Sequence, residues 1–241
     1  MKVVALNSSP WMAKGNTALI LSPYLEGMRE AGAEVELFYT KKLKIAPCQG
    51  CLNCWLKTPG ECFQKDDMQM LYPRLRDADI WVCATPLYVD GMTGPMKNLL
   101  DRMLPFTHPF FEIRDGHCRH ALRDGHKRGQ VVLVSNCGFC EMDNFDALVA
   151  HVKAACENMD REFAGAVLRP QGPALKPMLK QGIPIEDIFK AAKDAGRQLV
   201  TDGEMSTETL NLVSRELLPL ETYVQQINQA FQQTLDRRKT T

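Results

Sequence analysis

The chain has 241 residues and a mass of 27.1 kDa, enough for one large domain with a sizeable core, and this size excludes a small scaffold held by disulfides. Basic and acidic residues both number 29, so the net charge is zero, which argues against general binding to nucleic acids or anionic membranes. Apolar residues make up 45% of the chain, and no apolar run approaches the roughly 18 residues that a membrane span needs.

The first ten residues, MKVVALNSSP, hold too short an apolar stretch for a secretory signal and no small-residue cleavage site. We therefore expect a cytoplasmic protein. In a reducing compartment, cysteines more often bind metals or take part in redox chemistry than form disulfides. The 9 cysteines of this chain are candidates for such a role.

Short apolar runs alternate with helix-period segments up to about residue 200, which is typical of a parallel sheet with crossover helices. Five strands are predicted, at 3–6, 35–39, 80–84, 131–135 and 164–168. Helices are predicted at 16–31, from 66 onward, and at 96–104, 143–159 and 185–200. Right-handed crossovers then give an α/β fold with a flavodoxin-like, doubly wound, five-stranded parallel sheet.

This fold is predicted to occupy residues 1–202, with a cysteine-rich loop at 44–65 and an insertion or lid at 105–129. The insertion combines several histidines with Cys118, but their spacing matches no metal-ligand pattern. We expect it to be a solvated loop over the active site. The histidines in question are His108, His117, His120 and His126.

A carboxy-terminal helical extension is predicted at 203–241, with Pro219 in the first turn of its long helix. Apolar residues fall on one face of that helix. They are Leu220, Val224, Ile227, Phe231 and Leu235. An amphipathic stripe alone leaves two interpretations open, a tail helix packed on its own domain and a contact between subunits.

A candidate anion-binding loop follows the first strand. Residues 8–17, SSPWMAKGNT, supply hydroxyl groups, Lys14 and a flexible Gly15. In open parallel sheets, ligands bind beyond the carboxyl ends of the strands, where loop amides and helix N-termini face anions. The loop lacks the glycine patterns of dinucleotide-binding folds and of nucleoside triphosphatases. It therefore indicates a terminal monophosphate, although the same residues would also form an ordinary turn and helix cap.

Three short motifs follow consecutive predicted strands. They are SP at 9–10 with GNT at 15–17, then TPLY at 85–88 with GPMK at 94–97 and DR at 101–102, then SNCGF at 135–139. In this order they resemble the flavin mononucleotide (FMN) loops of the NADPH-dependent FMN reductase superfamily. The resemblance covers roughly residues 1–170. The order of the motifs is more specific than any one of them.

The resemblance implies that the first loop wraps the FMN phosphate, the second borders the isoalloxazine ring and the third contacts the pyrimidine edge. The implied first-loop residues are Ser9, Lys14, Gly15, Asn16 and Thr17. The implied second-loop residues are Pro86, Leu87, Tyr88, Val89 and Gly91. The implied third-loop residues are Ser135, Asn136, Cys137, Gly138 and Phe139. No side chain is expected to act as a catalytic acid or base.

Four cysteines lie close together, at Cys48, Cys51, Cys54 and Cys62. Four thiolates are the usual ligands of a [4Fe-4S] cluster, and a C-x2-C-x2-C run lets one loop wrap it. The pattern resembles the compact cysteine motif of iron-sulfur flavoproteins, a branch of the same superfamily, in which it also lies between the second strand and the next helix. Zinc on four thiolates, and cysteines without a cluster, remain open alternatives.

The other cysteines carry weaker signals. Cys83 and Cys156 are predicted to be small buried core residues. Cys137 and Cys140 are predicted to be structural or to line the flavin site, although their C-x-x-C spacing also occurs in redox motifs.

Together these features predict an FMN-dependent oxidoreductase of the iron-sulfur flavoprotein type, in which FMN handles electron pairs and the cluster single electrons. The resemblance implies NAD(P)H or ferredoxin as electron donor, a small molecule such as a quinone or an oxygen species as acceptor, and a homodimer or homotetramer. Two other functions remain open. One is a cluster-free NAD(P)H-dependent FMN or quinone reductase, and the other a non-enzymatic electron carrier or redox sensor.

Overall fold

The computed structural model describes residues 1–239, which contain seven strands. They are β1 (Lys2–Asn7), β2 (Glu34–Tyr39), β3 (Ile80–Pro86), β4 (Thr107–Arg114), β5 (His117–Leu122), β6 (Gln130–Asn136) and β7 (Glu162–Arg169). Five of them form a parallel sheet in the order β2-β1-β3-β6-β7. The predicted flavodoxin-like α/β fold is thereby confirmed.

Helices cover both faces of the sheet. They are α1 (Asn16–Glu30), α2 (Asn53–Leu56), α3 (Met68–Asp77), α4 (Gly94–Asp101), α5 (Asp146–Asn158), α6 (Leu175–Lys180), α7 (Glu186–Thr201), α8 (Thr207–Ser214) and α9 (Leu220–Lys239). Alternate strand residues enter opposite cores, so Val3 packs with α1 and α7 while Val4 packs with α3, α4 and α5. Cys83 and Cys156 are buried in the second core, as predicted.

Two glycines let α1 and α7 pack in direct backbone contact. A Cβ atom on Gly27 would overlap the carbonyl of Lys193, and one on Gly196 would overlap the carbonyl of Tyr24. Only glycine fits at either position. Because α1 begins directly after the candidate phosphate loop, this contact also fixes the position of that loop.

Residues 105–129 were expected to form a solvated loop, but most of them form the antiparallel hairpin β4-β5. Phe110, Phe111 and Ile113 on β4 are 75–83% exposed, so the hairpin lacks the buried apolar face by which a strand is usually recognised. The hairpin packs near the cysteine loop, where the His120 ring lies 4.6 Å from the Trp55 ring.

The carboxy-terminal helices pack on the α7 side of the sheet through Val213 and Tyr223, which are buried. Arg169 at the end of β7 is fully buried and donates hydrogen bonds to the carbonyls of Val213 and Arg215. Most of the predicted apolar stripe of α9 is exposed. The exposed members are Leu220, Val224, Phe231 and Leu235.

Two positions of the predicted extension, 240 and 241, lie outside the described residues. No helix within residues 1–239 is both long and apolar enough to cross a membrane.

Candidate functional site

The three predicted flavin loops leave the carboxyl ends of β1, β3 and β6, which are neighbours in the sheet. Carboxyl ends of parallel strands meet at one edge, so the loops lie side by side. Hydrogen bonds join them. Ser8 Oγ donates to the carbonyl of Ala84 at 3.2 Å, and Ser135 Oγ donates to the carbonyl of Thr85 at 2.7 Å. The loops therefore form one connected wall.

Thr17 and Asn136 link the first loop to the third. The Thr17 hydroxyl donates to Asn136 Oδ1 at 2.6 Å, and the Asn136 carbonyl accepts from the Leu87 amide at 2.9 Å. Both linking side chains are buried. A hydroxyl has one proton, and that of Thr17 is already donated within the protein. In this structure Thr17 therefore joins two loops and does not offer a free donor to a phosphate.

The first loop is closed by local hydrogen bonds. The Ser9 amide donates to Asn7 Oδ1 at 2.9 Å, and the Trp11 amide donates to Ser9 Oγ at 3.4 Å. A Cβ atom on Gly15 would overlap Ser9 Oγ, so the loop closes in this way only with glycine at that position.

One buried side-chain group without a partner within residues 1–239 lies at the end of β1. Asn7 is fully buried, and its Nδ2 has no hydrogen-bond partner among the described residues. A buried amide without a partner is costly, which fits a site where a ligand supplies the acceptor. Of the predicted phosphate-loop residues, Lys14 is exposed and Asn16 is half-buried. The sequence patterns did not select Asn7, because an asparagine at a strand end is also an ordinary turn residue.

The second loop makes a tight turn immediately after β3. Tyr88 and Gly91 pair across it, and Val89 and Asp90 between them have φ angles of 47° and 57°. A β-branched residue at positive φ is strained, and such strain concentrates at functional sites. The turn projects Tyr88 and Val89 into solvent, while Pro86 is buried and Leu87 half-buried below it.

The third loop is held from the carboxy-terminal part of the chain. Tyr223 Oη donates to the carbonyl of Gly138 at 2.6 Å, and Gln171 Nε2 donates to Cys140 Sγ at 3.3 Å. Burial, with the nearby thiols of Cys140 and Cys137, raises the pKa of Tyr223 to about 12, so its hydroxyl stays protonated at neutral pH. The sequence patterns selected neither Tyr223 nor Gln171.

Each of the three loops presents one exposed aromatic residue at this edge. Trp11 is 71% exposed, Tyr88 50% and Phe139 61%. Large exposed aromatic side chains grouped around one edge mark a binding surface, and a planar ring system is the ligand that they fit. Tyr88 and Phe139 were predicted for the site, and Trp11 is a further candidate.

The four candidate ligand cysteines lie on the segment between β2 and α3 and have free thiols. Cys54 is buried, Cys48 and Cys62 are half-buried, and Cys51 is exposed. Burial raises the pKa of the Cys54 thiol, and the thiols of Cys62, Cys48 and Cys51 raise it further, so all three act on Cys54 electrostatically. Within residues 1–239, no three His, Cys, Asp or Glu side chains are arranged as a metal site.

A buried ion pair ties both ends of the cysteine loop to α4. The Arg102 side chain, 1% exposed, follows the last residue of α4. Its Nη1 donates to Asp66 Oδ2 and to the carbonyl of Ala46, each at 2.6 Å. Asp66 Oδ2 also accepts from the Ala46 amide at 3.0 Å. Residues 46 and 66, which flank the four cysteines, are therefore held together.

The donor chemistry of this loop suits an iron-sulfur cluster, although its side chains are not arranged as a metal site within residues 1–239. Four thiols suit iron or another thiophilic metal better than Mg²⁺ or Ca²⁺. Arg102 Nη2 donates to Cys62 Sγ at 3.4 Å, and Arg102 Nε is buried without a hydrogen-bond partner among the described residues. A cation directed at a ligand sulfur is a typical neighbour of a negatively charged thiolate site.

Comparisons with known sequences agree with this geometry. Residues 1–115 match the family model for NADPH-dependent FMN reductase. An iron-sulfur flavoprotein of Archaeoglobus fulgidus is 40% identical over 102 residues, which cover 42% of this chain and 48% of that protein. An iron-sulfur flavoprotein of Methanosarcina thermophila is 28% identical over 115 residues, covering 48% of this chain and 59% of that protein. The chain thus spans about half the length of the curated relatives it matches.

Solved structures share the fold. An NAD(P)H:quinone oxidoreductase from Methanothermobacter marburgensis has a TM-score of 0.57 at 19% identity, covering 83% of this chain and 96% of that one. An FMN-dependent NADH-azoreductase from Bacillus anthracis has a TM-score of 0.57 at 14% identity, covering 83% and 99%. At these identities the similarity establishes the fold alone.

The sheet order and the loops at its carboxyl edge define a flavodoxin-like protein. Residues 1–115, just under half of the chain, are similar to the NADPH-dependent FMN reductase family, and the curated relatives carry the name of the iron-sulfur flavoprotein branch. The resemblance inferred from the sequence motifs is thereby confirmed.

Proposed function

We propose that the protein is an FMN-dependent oxidoreductase of the iron-sulfur flavoprotein type. The observation that carries this proposal is the role of α4, which joins the two candidate sites. The helix begins at Gly94, directly after the second flavin loop, and Arg102 at its end contacts Cys62. One short helix thus connects the flavin edge of the sheet with the four-cysteine loop.

FMN would be bound by the three loops as the family resemblance implies, with the phosphate at the first loop, the ring at the second and the pyrimidine edge at the third. Trp11, Tyr88 and Phe139 would shield the ring from water. Residues 1–202 would form the cofactor-binding unit, and the extension from 203 onward would support the third loop through Tyr223.

Cys48, Cys51, Cys54 and Cys62 would hold a [4Fe-4S] cluster. Bound FMN supplies two-electron chemistry and the cluster one-electron chemistry, so the pair connects the two kinds of partner. The protein chain itself would hold the two cofactors in position. The Trp55 indole donates to the carbonyl of Leu104 at 3.0 Å, which ties the cysteine loop to the segment that follows α4.

The electron donor would be NAD(P)H or ferredoxin, and the acceptor a small molecule such as a quinone or an oxygen species. An open groove of about 630 Å³ beside the flavin edge has room for a small molecule. It lies between Thr40 after β2 and Gly94 at the start of α4, with Lys41 and Lys97 among its lining residues.

A cluster-free NAD(P)H-dependent FMN or quinone reductase is the second candidate function. The observation that favours it is that the four cysteines are not arranged as a metal site in the described residues. In that case the ion pair of Arg102 and Asp66 would serve the fold alone.

The FMN and iron content per chain distinguishes the two functions. Protein purified without oxygen would be measured by its absorption spectrum and by metal analysis. About four irons and one FMN per chain support the iron-sulfur flavoprotein. FMN without iron establishes the cluster-free reductase, and the absence of both cofactors overturns the assignment of the three loops.

A further inference from the structure

Arg102 makes more contacts than an ordinary ion pair requires. Its two Nη groups bind both oxygens of Asp66, with Nη1 at 2.6 Å from Oδ2 and Nη2 at 3.2 Å from Oδ1. Nη2 also donates to Cys62 Sγ at 3.4 Å. The Arg102 carbonyl accepts from Tyr72 Oη at 2.8 Å, so the backbone of the residue is fixed as well.

The ion pair is charged and held from several sides. Burial alone would raise the pKa of the Asp66 carboxyl, but hydrogen bonds from Arg102 and from the amides of Ala46 and Met68 hold it below its usual value. Asp66 therefore remains a carboxylate at neutral pH, and the guanidinium beside Cys62 keeps its partner. Arg102 Nε adds a buried donor with no partner among the described residues.

We infer that Arg102 is a positioning residue for the iron-sulfur cluster, which holds the Cys62 sulfur in place and favours the reduced state of the cluster. This inference rests on the proposed function. It assigns to one arginine a role that the cysteine motif itself does not contain.

The positive charge of Arg102 would affect the reduction potential of a cluster held beside it. If the four cysteines hold a cluster, its reduction by one electron from the donor would add one negative charge to the cluster and its thiolate ligands. A cationic hydrogen-bond donor on one ligand sulfur stabilises that added charge, and hydrogen bonds to the sulfurs are among the factors that set cluster potentials. Removing the donor should therefore make the midpoint potential more negative.

Substitution of Arg102 tests the inference in the full-length holoprotein. Arg102→Gln removes the charge and the forked donor, whereas Arg102→Lys keeps a positive charge beside Asp66 and protects the fold. Arg161→Lys is the matched control, because Arg161 is 7% exposed but contacts the Trp81 ring and the carbonyl of Ala78, away from the cysteine loop. Iron content, the cluster potential in an anaerobic dithionite titration, and the FMN potential would be measured for each variant.

We expect Arg102→Lys to keep the wild-type iron content and to have a more negative cluster potential. Arg102→Gln should show a larger negative shift of the cluster potential or a loss of iron. The FMN potential should be unchanged in both variants. The control should keep the wild-type cluster potential. Wild-type iron content and potential in both Arg102 variants would overturn the inference, as would an equal shift in Arg161→Lys. A wild-type protein with FMN and no iron would instead overturn the proposed function.

Discussion

The buried hydroxyl of Thr17 donates its proton to Asn136 Oδ1 over 2.6 Å, which ties the start of α1 to the end of β6. Without this hydroxyl, the Asn136 oxygen would lose its donor, and a buried polar group without a partner costs about 1–3 kcal/mol. The first and third flavin loops would also lose a direct connection. If the three loops bind FMN as proposed, Thr17 would support that binding through the relative position of the two loops.

Substitution of Thr17 tests the importance of its hydrogen bond to Asn136. Thr17→Val should weaken FMN binding by about 1–3 kcal/mol, because the apoprotein no longer holds the two loops together. FMN fluorescence titrations of the apoprotein would measure the dissociation constant. Thr17→Ser keeps the hydroxyl and should restore most of the affinity, and Thr201→Val, at an exposed position of α7, is a control. Equal affinity in wild type and Thr17→Val would contradict the role.

Cys51 is the exposed member of the four-cysteine group. Cys51→Ser should abolish iron binding and leave FMN bound, since three thiolates do not replace the usual four of a cubic cluster. Iron analysis and the visible spectrum of anaerobically purified protein would show the loss. Cys118→Ser, at an exposed cysteine on β5, is the matched control. Retention of iron by Cys51→Ser, at the wild-type level, would refute the ligand assignment.

At the scale of elements, the sequence predicted the five sheet strands and the α1, α3, α4, α5 and α7 helices. Their apolar periodicity is strong because each element buries one or both faces in the two cores. The β4-β5 hairpin and the short α2 and α6 helices were not predicted. The hairpin exposes Phe110, Phe111 and Ile113, and the 6 residues of α6 are too few to show a helical period.

The candidate site was accessible to sequence reasoning only where its residues lie close together in the chain. Motifs at strand ends are local in sequence, so the three loops were found, whereas supporting contacts between distant residues have no local signal. Tyr223 lies 85 positions from Gly138, and Arg102 lies 40 positions from Cys62. Such pairs become visible only when the fold brings the two residues together.

The contact between α9 and the third loop leads to a further prediction. Tyr223→Phe removes the hydrogen bond to the Gly138 carbonyl, and the free energy of unfolding should fall by about 1 kcal/mol. FMN should bind more weakly, because the third loop loses a support. Urea unfolding and FMN titration would measure the two effects. Tyr39→Phe on the edge strand β2 is the control, and identical results for both variants would argue against this role.

The raised pKa of Tyr223 predicts that the free energy of unfolding depends on pH in the alkaline range. Its pKa is raised from 10.0 to about 12, chiefly by burial, so the unfolded chain releases this proton at lower pH than the folded one. The contribution of the protonated Tyr223 hydroxyl to the free energy of unfolding is therefore present below pH 10. It is lost as the pH rises from 10 to about 12. Wild-type stability should therefore fall more steeply than that of Tyr223→Phe over this range. Parallel curves would contradict the prediction.

For the whole molecule, the exposed stripe of α9 is the feature that bears on assembly. We propose that a second copy of the chain covers it, in keeping with the expected homodimer or homotetramer. Glu221 lies near the amino end of α9 and Arg238 near its carboxyl end, so two antiparallel copies would bring unlike charges together. The 20-residue helix offers a contact about 30 Å long.

Substitutions in this stripe should change the oligomeric state. Phe231→Ser combined with Leu235→Ser removes two exposed apolar side chains, and light scattering after size-exclusion chromatography should show a smaller assembly. Gln226→Ser with Gln233→Ser, on the opposite side of the helix, is the control. An assembly of wild-type mass in the stripe variant would place the subunit interface elsewhere.

The three tryptophans lie in three functionally distinct regions. Trp11 is exposed on the first flavin loop, Trp55 lies in the cysteine loop, and Trp81 is buried in β3 with the Arg161 guanidinium 3.9 Å from its ring. The molecule therefore contains its own optical reporters. Emission from Trp11 should respond to flavin binding, and emission from Trp55 to assembly of the cysteine loop. Emission from Trp81 should respond to unfolding of the sheet. Variants that each keep a single tryptophan would therefore resolve the order of these events in time.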